Sequence, residues 1–172
     1  MYIETKRMIL RNFHQDDLND LYEIFGHGET MLNVEQPYEF EKTKEFLNEF
    51  CIDKNGAFAA VEKDSNKVIG YILFKNVDED DIYEIGWIFN HCYWRMGYAY
   101  EVCSILIKYG FKELNAHKIF AEAIDNIKSV GLMKKLGMKL EGVHRKQTKN
   151  LQGDWVDLYF YGILRDEFVF NV

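Results

Sequence analysis

One proline, Pro37, and three cysteines in 172 residues set the first limits on what this chain can be. With so little proline, no low-complexity tract and no internal repeat, the chain has no linker to part domains. A single domain over residues 1–172 is expected. Cys51, Cys92 and Cys103 are odd in number and lack metal-site spacing, so they read as reduced thiols of a cytoplasmic protein. Cys103 falls on the apolar side of a predicted helix and reads as packing, whereas Cys92 sits beside a turn. His14, His27, His91 and His117 also lack ligand spacing, and no metal site is expected. No apolar run approaches the roughly 18 residues of a membrane helix. The opening "MYIETKRMIL" has too short and too interrupted an apolar part for a secretory signal. There is no loop ending in Gly-Lys-Ser/Thr and no three-glycine dinucleotide fingerprint. Positive charge is scarce too. The formal net charge of −7 argues against nonspecific nucleic-acid binding, and the aromatic run Trp155, Tyr159, Phe160, Tyr161 reads as core.

What is present is a folded, aromatic-rich chain, 48% hydrophobic and 16% aromatic. Its charge is uneven. Residues 1–86 carry nine basic and nineteen acidic side chains, and residues 87–172 carry twelve and nine. The second half is the better place for an anionic ligand and the first for a cation. A solvated surface of uneven charge is the plainer alternative.

Periodicity predicts a strand at 7–13. A helix follows, carrying Leu18, Leu21, Tyr22 and Phe25, capped by Asp16 and stopped by Gly26 and Gly28. "EFEKTKEFLNEFC" reads as a second amphipathic helix. Strands at 57–63, 67–75 and 82–90 form a meander, the first two joined by the turn "DSN". A helix carrying Ala99, Val102, Cys103, Leu106 and Gly110 runs to about Leu114, and "KIFAEAI" is the next strand. A short helix opened by Asp125 or Asn126 and closed by Gly137 precedes two final strands, "MKLEGVHRKQ" and "WVDLYFYGIL". The result is an α/β, mostly antiparallel seven-stranded sheet. The crossover from 82 to 124 makes one strand pair parallel.

The stretch "HCYWRMGYAYE" (91–101) lies where a strand gives way to a helix. Amides in a helix's first turn lack intrahelical partners, the dipole adds positive potential there, and a glycine lets a ligand approach the backbone. A phosphate site and a merely tight turn both fit residue types this common.

"YWRMGYAYE" resembles the acetyl-coenzyme A pyrophosphate loop of the GNAT acetyltransferase superfamily, and the element order is that family's order. "DNIKSVGLMKKLGMKLEGVHRK" resembles the family's Asn-x-x-Ser/Ala … Lys-Leu-Gly-Phe segment. "TKRMILRNFHQDDL" and "GDWVDLYFYGIL" resemble the branch that acetylates N-termini of ribosomal proteins and similar amines. The resemblance covers essentially the whole chain. It implies the GNAT fold, with helices on both faces of the sheet, and acetyl-coenzyme A as cosubstrate. It also implies that the amides of Met96, Gly97, Tyr98, Ala99 and Tyr100, helped by Arg95, cradle the pyrophosphate. Trp87, Ile88 and Phe89 would then pair with the pantetheine amides by strand addition, and Asn126 would bond the pantetheine arm. The same Asn126 is a candidate helix cap. Trp94 stands where the family often has Gln or Arg.

Acetyl transfer to an amine needs a neutral nitrogen and a stabilised thiolate. Glu84, with Tyr83 and Ile85 on the opposite strand face, is the candidate base; a solvent-facing glutamate is the alternative. Ser129, one turn beyond Asn126, is the resemblance's candidate donor to the thiolate. Many relatives carry a tyrosine for that purpose at the position of Met133, which cannot do it. His144 and Arg145 resemble a segment near the acceptor entrance. The acidic first half, including Glu29, Glu35 and Glu39, suits a cationic acceptor, either a protein N-terminus or a small amine. The expected protein is an N-acetyltransferase, monomeric or homodimeric, working by direct attack in a ternary complex. A degenerate acyl-coenzyme A-binding module is the alternative.

Overall fold

The apolar runs at 67–75 and 82–90 fold as strands, as the sequence leads one to expect. The computed structural model describes residues 1–77, 81–125 and 127–169. Its strands are β1 (Tyr2–Glu4), β2 (Met8–Asn12), β3 (Phe58–Glu62), β4 (Lys67–Asn76), β5 (Ile82–Phe89), β6 (Lys118–Ala123), β7 (Lys139–Lys149) and β8 (Trp155–Leu164). Its α-helices are α1 (Leu18–Phe25), α2 (Gly28–Met31), α3 (Phe40–Phe46), α4 (Tyr98–Lys112) and α5 (Lys128–Lys135). The strands bond as one mixed sheet in the order β1-β2-β3-β4-β5-β6-β8-β7, with β5 and β6 parallel.

The sheet has eight strands where seven were expected. The extra one, β1, is three residues long, too short to show alternation. It exists because Thr5 closes a turn: its amide donates to the Met8 carbonyl at 2.9 Å, and its hydroxyl accepts the Met8 amide at 2.9 Å. Tyr2 then falls opposite Arg11 in an antiparallel ladder.

The chain divides into two compact units, Met1–Phe74 with Trp87–Val102, and Lys75–Gly86 with Cys103–Val172. In the first, β1 to β4 form an antiparallel ladder. Leu21, Ile24 and Phe25 of α1 are buried with Leu47, Ala59, Val61 and Tyr71. Burying each large side chain contributes about 1.5–3 kcal/mol. The Phe25 ring meets Tyr38 and Tyr71 edge-on at 5.3 and 5.2 Å, the geometry the ring quadrupole favours.

Entry to α1 differs in one residue from expectation. Asp17, not the exposed Asp16, makes the cap, accepting the His14 amide at 2.7 Å while Arg11 grips both its oxygens at 2.7 and 2.8 Å. Asp17 follows His14 by three positions, the reach a carboxylate needs to fold back on the entering amide. Gly26 ends α1, its amide on the Tyr22 carbonyl at 2.8 Å, but Gly28 begins α2 instead of stopping a helix. The second predicted helix widens into a π-helical segment, Leu47–Ile52.

In the second unit β6 pairs antiparallel with β8, and β8 with β7. Ile119, Ala121, Tyr161 and Ile163 alternate inward and are buried, as are Leu106, Ile107 and Phe111 of α4 and Val130 and Met133 of α5. Gly137, at φ +86, closes α5 as expected. This alternation leaves Phe120, Glu122 and Phe160 to the opposite face.

Candidate active site

Between β5 and α4 the backbone makes a special turn. Arg95 and Gly97 both hold positive φ, +61 and +85. A Cβ at Gly97 would meet only the Arg7 Nη2 at 3.4 Å, ordinary contact, so backbone conformation rather than space asks for glycine. The first helical bond runs from the Glu101 amide to the Gly97 carbonyl at 3.0 Å. The amides of Gly97, Tyr98 and Ala99 therefore precede the helix's own ladder, at the positive end of a fifteen-residue helix. Gly97 and Met96 are exposed, so a ligand can reach this backbone. The arrangement suits a pyrophosphate.

Two residues that sequence reasoning passed over hold this turn. The Arg7 guanidinium donates from Nε to Glu101 Oε2 at 2.8 Å and from Nη1 to the Met96 carbonyl at 2.9 Å, and lies 4.2 Å from the Tyr98 ring centroid. Glu101 Oε1 accepts the Thr5 hydroxyl at 2.6 Å and the Arg7 amide at 2.8 Å. Burial alone would raise the Glu101 acid. The Thr5 hydroxyl and the Arg7 amide and guanidinium overcome it and hold the group below its usual range.

The strand before the turn is β5. Trp87 and Ile88 are half-buried. Phe89 is buried, its ring lying where a Cβ on Gly70 would stand only 2.6 Å away, and its carbonyl accepts Trp94 Nε1–H at 2.7 Å. The Phe89 carbonyl is thus already in use, and Trp94 acts as a strut rather than a ligand contact.

The parallel ladder between β5 and β6 is short. It runs from Ile82↔Lys118 to Glu84↔Phe120, while β6 goes on pairing with β8 as far as Ala123↔Tyr159. Backbone groups beyond Glu84 are thereby released from parallel pairing. Glu84 lies at this end of the ladder, half-buried and ion-paired to Lys75 at 3.0 Å. Glu122 stands two residues beyond Glu84's partner, on the same face. Its proton affinity is raised by burial first and the Glu84 charge second, with Lys75 and His144 opposing. Water reaches Glu122. No hydrogen bond or ion pair falls on its carboxylate among the described residues. The His144 ring lies 4.4 Å from and tilted 39° to that of Phe160, the residue opposite Glu122 in the β6–β8 ladder, while Arg145 is exposed. The visible sequence cue to Glu122 was the alternation of Ile119 and Ala121. Which acid it neighbours depends on register.

At the start of α5, Asp125 is the cap. Its Oδ1 accepts the Ile127 amide at 2.8 Å and its Oδ2 the Ser129 amide at 3.3 Å. Asn126 lies outside the described residues. Ser129 is half-buried, and its amide is thereby used, whereas its hydroxyl makes no hydrogen bond among the described residues. Met133 is buried core. Of the acidic residues named for the acceptor's approach, Glu29 and Glu39 are exposed and Glu35 is engaged by the Tyr38 hydroxyl and Lys42. No group of His, Cys, Asp and Glu suited to a metal occurs among the described residues, nor does any helix there have the length and apolarity to cross a membrane.

Known proteins resemble this chain in sequence and fold. A family profile described as an acetyltransferase (GNAT) domain matches residues 7–139. The uncharacterized N-acetyltransferase YnaD of Bacillus subtilis (strain 168) is 37% identical over 97% of this chain and 99% of its own. The crystal structure of a GNAT-family acetyltransferase from Bacillus anthracis superposes with a TM-score of 0.89 at 30% identity, over 96% of this chain and 99% of that one. A spermidine N-acetyltransferase from Vibrio cholerae, solved with CoA and spermine, shares the fold with a TM-score of 0.80 at 24% identity, over 95% of this chain and 98% of that one. With an exposed, positive-φ turn at a helix N-terminus and a strand released from its parallel neighbour, this chain belongs to the GNAT acetyltransferase family and is an acetyl-coenzyme A-dependent N-acetyltransferase.

Proposed function

We propose that the acceptor is a cationic primary amine of the small-molecule class, acetylated by direct attack in a ternary complex. The observation that carries this is the pair Glu84 and Glu122 on one sheet face, with Lys75 satisfying only the first. Two carboxylates against one ammonium leave a net negative charge that draws in a second ammonium, the substrate's. Glu84, fixed by Lys75, orients that group. Glu122 takes the proton, because its affinity is raised and no hydrogen bond holds its oxygens among the described residues. The neutral nitrogen then attacks the thioester carbonyl and forms the C–N bond; as the C–S bond breaks, the second proton on that nitrogen passes to the departing sulfur, and the proton on Glu122 returns to solvent. Ser129, whose hydroxyl makes no hydrogen bond among the described residues, donates a hydrogen bond to the departing thiolate. The amides of Met96 to Tyr100, with Arg95, hold the pyrophosphate, and the backbone of Trp87 to Phe89 pairs with the pantetheine arm; Asn126 assists there. An acyl-enzyme route through Cys51 or Cys103 has little support, since both are buried and burial pushes the Cys51 thiol up to about 12.

A polyamine is preferred over a peptide N-terminus because its second ammonium stays charged while the first reacts. The spermidine N-acetyltransferase named above acts on such a compound. The test is release of free coenzyme thiol with a polyamine, with a peptide bearing a free N-terminus, and with neither. Release should depend on the amine, favour the polyamine, and weaken as salt rises. Equal rates with and without amine would leave an acyl-coenzyme A-binding module instead. A preference for the peptide that is indifferent to salt would move the acceptor to protein N-termini.

A further inference from the structure

A carboxylate in the first turn of a helix normally helps that helix, but at a phosphate-binding turn it opposes the ligand. Glu101 is in that position. It lies in the first turn of α4, immediately after the amides that face the ligand, and its side chain is only 19% exposed, so solvent screens it weakly. The chain answers it with Arg7, 94 residues away in sequence. One guanidinium does three things there. It pairs with Glu101 through Nε, ties down the Met96 carbonyl through Nη1, and leaves Nη2 at the Gly97 backbone. A carbonyl held by Arg7 is a carbonyl turned away from an arriving anion. Thr5 and the Arg7 amide complete the hold on Glu101.

We infer that Arg7 is a coenzyme-positioning residue: it cancels the Glu101 charge and fixes the Met96 carbonyl so that the turn accepts a pyrophosphate. The inference rests on reading that turn as the coenzyme phosphate site. It assigns a binding role to the first residue after "TK", far from the turn in sequence, and to an acid that charge alone would exclude from such a site.

The experiment measures coenzyme A affinity by calorimetry in wild type, Arg7→Met, Arg7→Lys, Glu101→Gln and the Arg7→Met/Glu101→Gln double variant, with melting temperatures alongside. Losing a charge-assisted hydrogen bond and exposing a repulsive carboxylate should weaken binding by about ten- to a hundredfold in Arg7→Met. Removing the stranded carboxylate in the double variant should recover at least about threefold of that, the order of effect expected of one nearby like charge. Arg7→Lys keeps the charge and loses the fork, so it should fall between wild type and Arg7→Met. A merely structural role would lower the melting temperature of the double variant further and recover no affinity. Coenzyme affinity in Arg7→Met within twofold of wild type, or no recovery in the double variant, would overturn the inference. Gly97→Glu separates this from the underlying reading. If that variant binds coenzyme A as wild type does, the turn is not the phosphate site and both fall; if it fails to bind while Arg7→Met is unaffected, only the role of Arg7 falls.

Discussion

Replacing Glu84 by Gln tests the carboxylate pair through the pH dependence of catalysis. If Glu122 takes the substrate's proton, kcat/KM for the ammonium form falls as pH drops through the Glu122 titration. That titration lies above the usual glutamate range because of burial and, next, the Glu84 charge. Parallel neighbours lie about 4.8 Å apart, and Glu122 is displaced two residues, roughly 6.6 Å, along the strand, which puts the two Cα atoms on the order of 8 Å apart. Unit charges at that distance interact by about 2 kcal/mol at an effective dielectric of 20 and by about 0.5 kcal/mol in bulk water. Water reaches Glu122, so the lower end applies, and the acid limb should move down in Glu84→Gln. Lys75→Met removes the opposing charge, so its limb should move up. Glu122→Gln should abolish the limb and lower kcat/KM at neutral pH by about 10²-fold or more. The assay is initial-rate thiol release at constant ionic strength over pH 4–8. Limbs that shift the same way in Glu84→Gln and Lys75→Met, or a limb that survives in Glu122→Gln, would refute the reasoning.

Three further outcomes are expected. Ser129→Ala should lower kcat by about tenfold or more with the KM for acetyl-coenzyme A little changed, read by steady-state kinetics, because a donor to the leaving thiolate acts mainly in the transition state. Arg11→Met should cost about 3–5 kcal/mol in denaturant unfolding, because it strands the 8%-exposed Asp17 side chain that Arg11 grips at two oxygens. The depressed Glu101 acid contributes stability that is fully present above its unfolded titration and is lost as pH falls through its lower folded value. Melting temperature should therefore fall more steeply with acidification below about pH 4.5 in wild type than in Glu101→Gln.

Much of the fold could be read from local pattern. Apolar runs bounded by turns marked β4 and β5, and apolar side chains at helical spacing marked α1 and α4, the latter within two residues of its end. Helix punctuation was less legible. Asp16 and Asp17 are chemically alike, and only the geometry of Arg11 and His14 decides between them. The site divides the same way. Gly97 was visible because a positive φ leaves a compositional trace. Glu122 and Arg7 were not, since their importance lies in what pairing brings beside them. Glu122 meets Glu84 through a register that no single strand encodes, and Arg7 meets Glu101 across 94 residues. Met133 is buried, where an unbranched thioether packs without needing a polar partner.

The distribution of sulfur has a practical consequence. Cys51 and Cys103 are buried, and Cys92 is exposed four residues before Met96. Aromatic disulfide reagents used to count liberated coenzyme thiol will therefore also titrate one equivalent of protein in the native state and three after denaturation. Enzyme blanks must be subtracted. The same stoichiometric step gives a label-free unfolding readout, and a fluorophore attached to Cys92 would place a reporter beside the turn without disturbing either interior thiol.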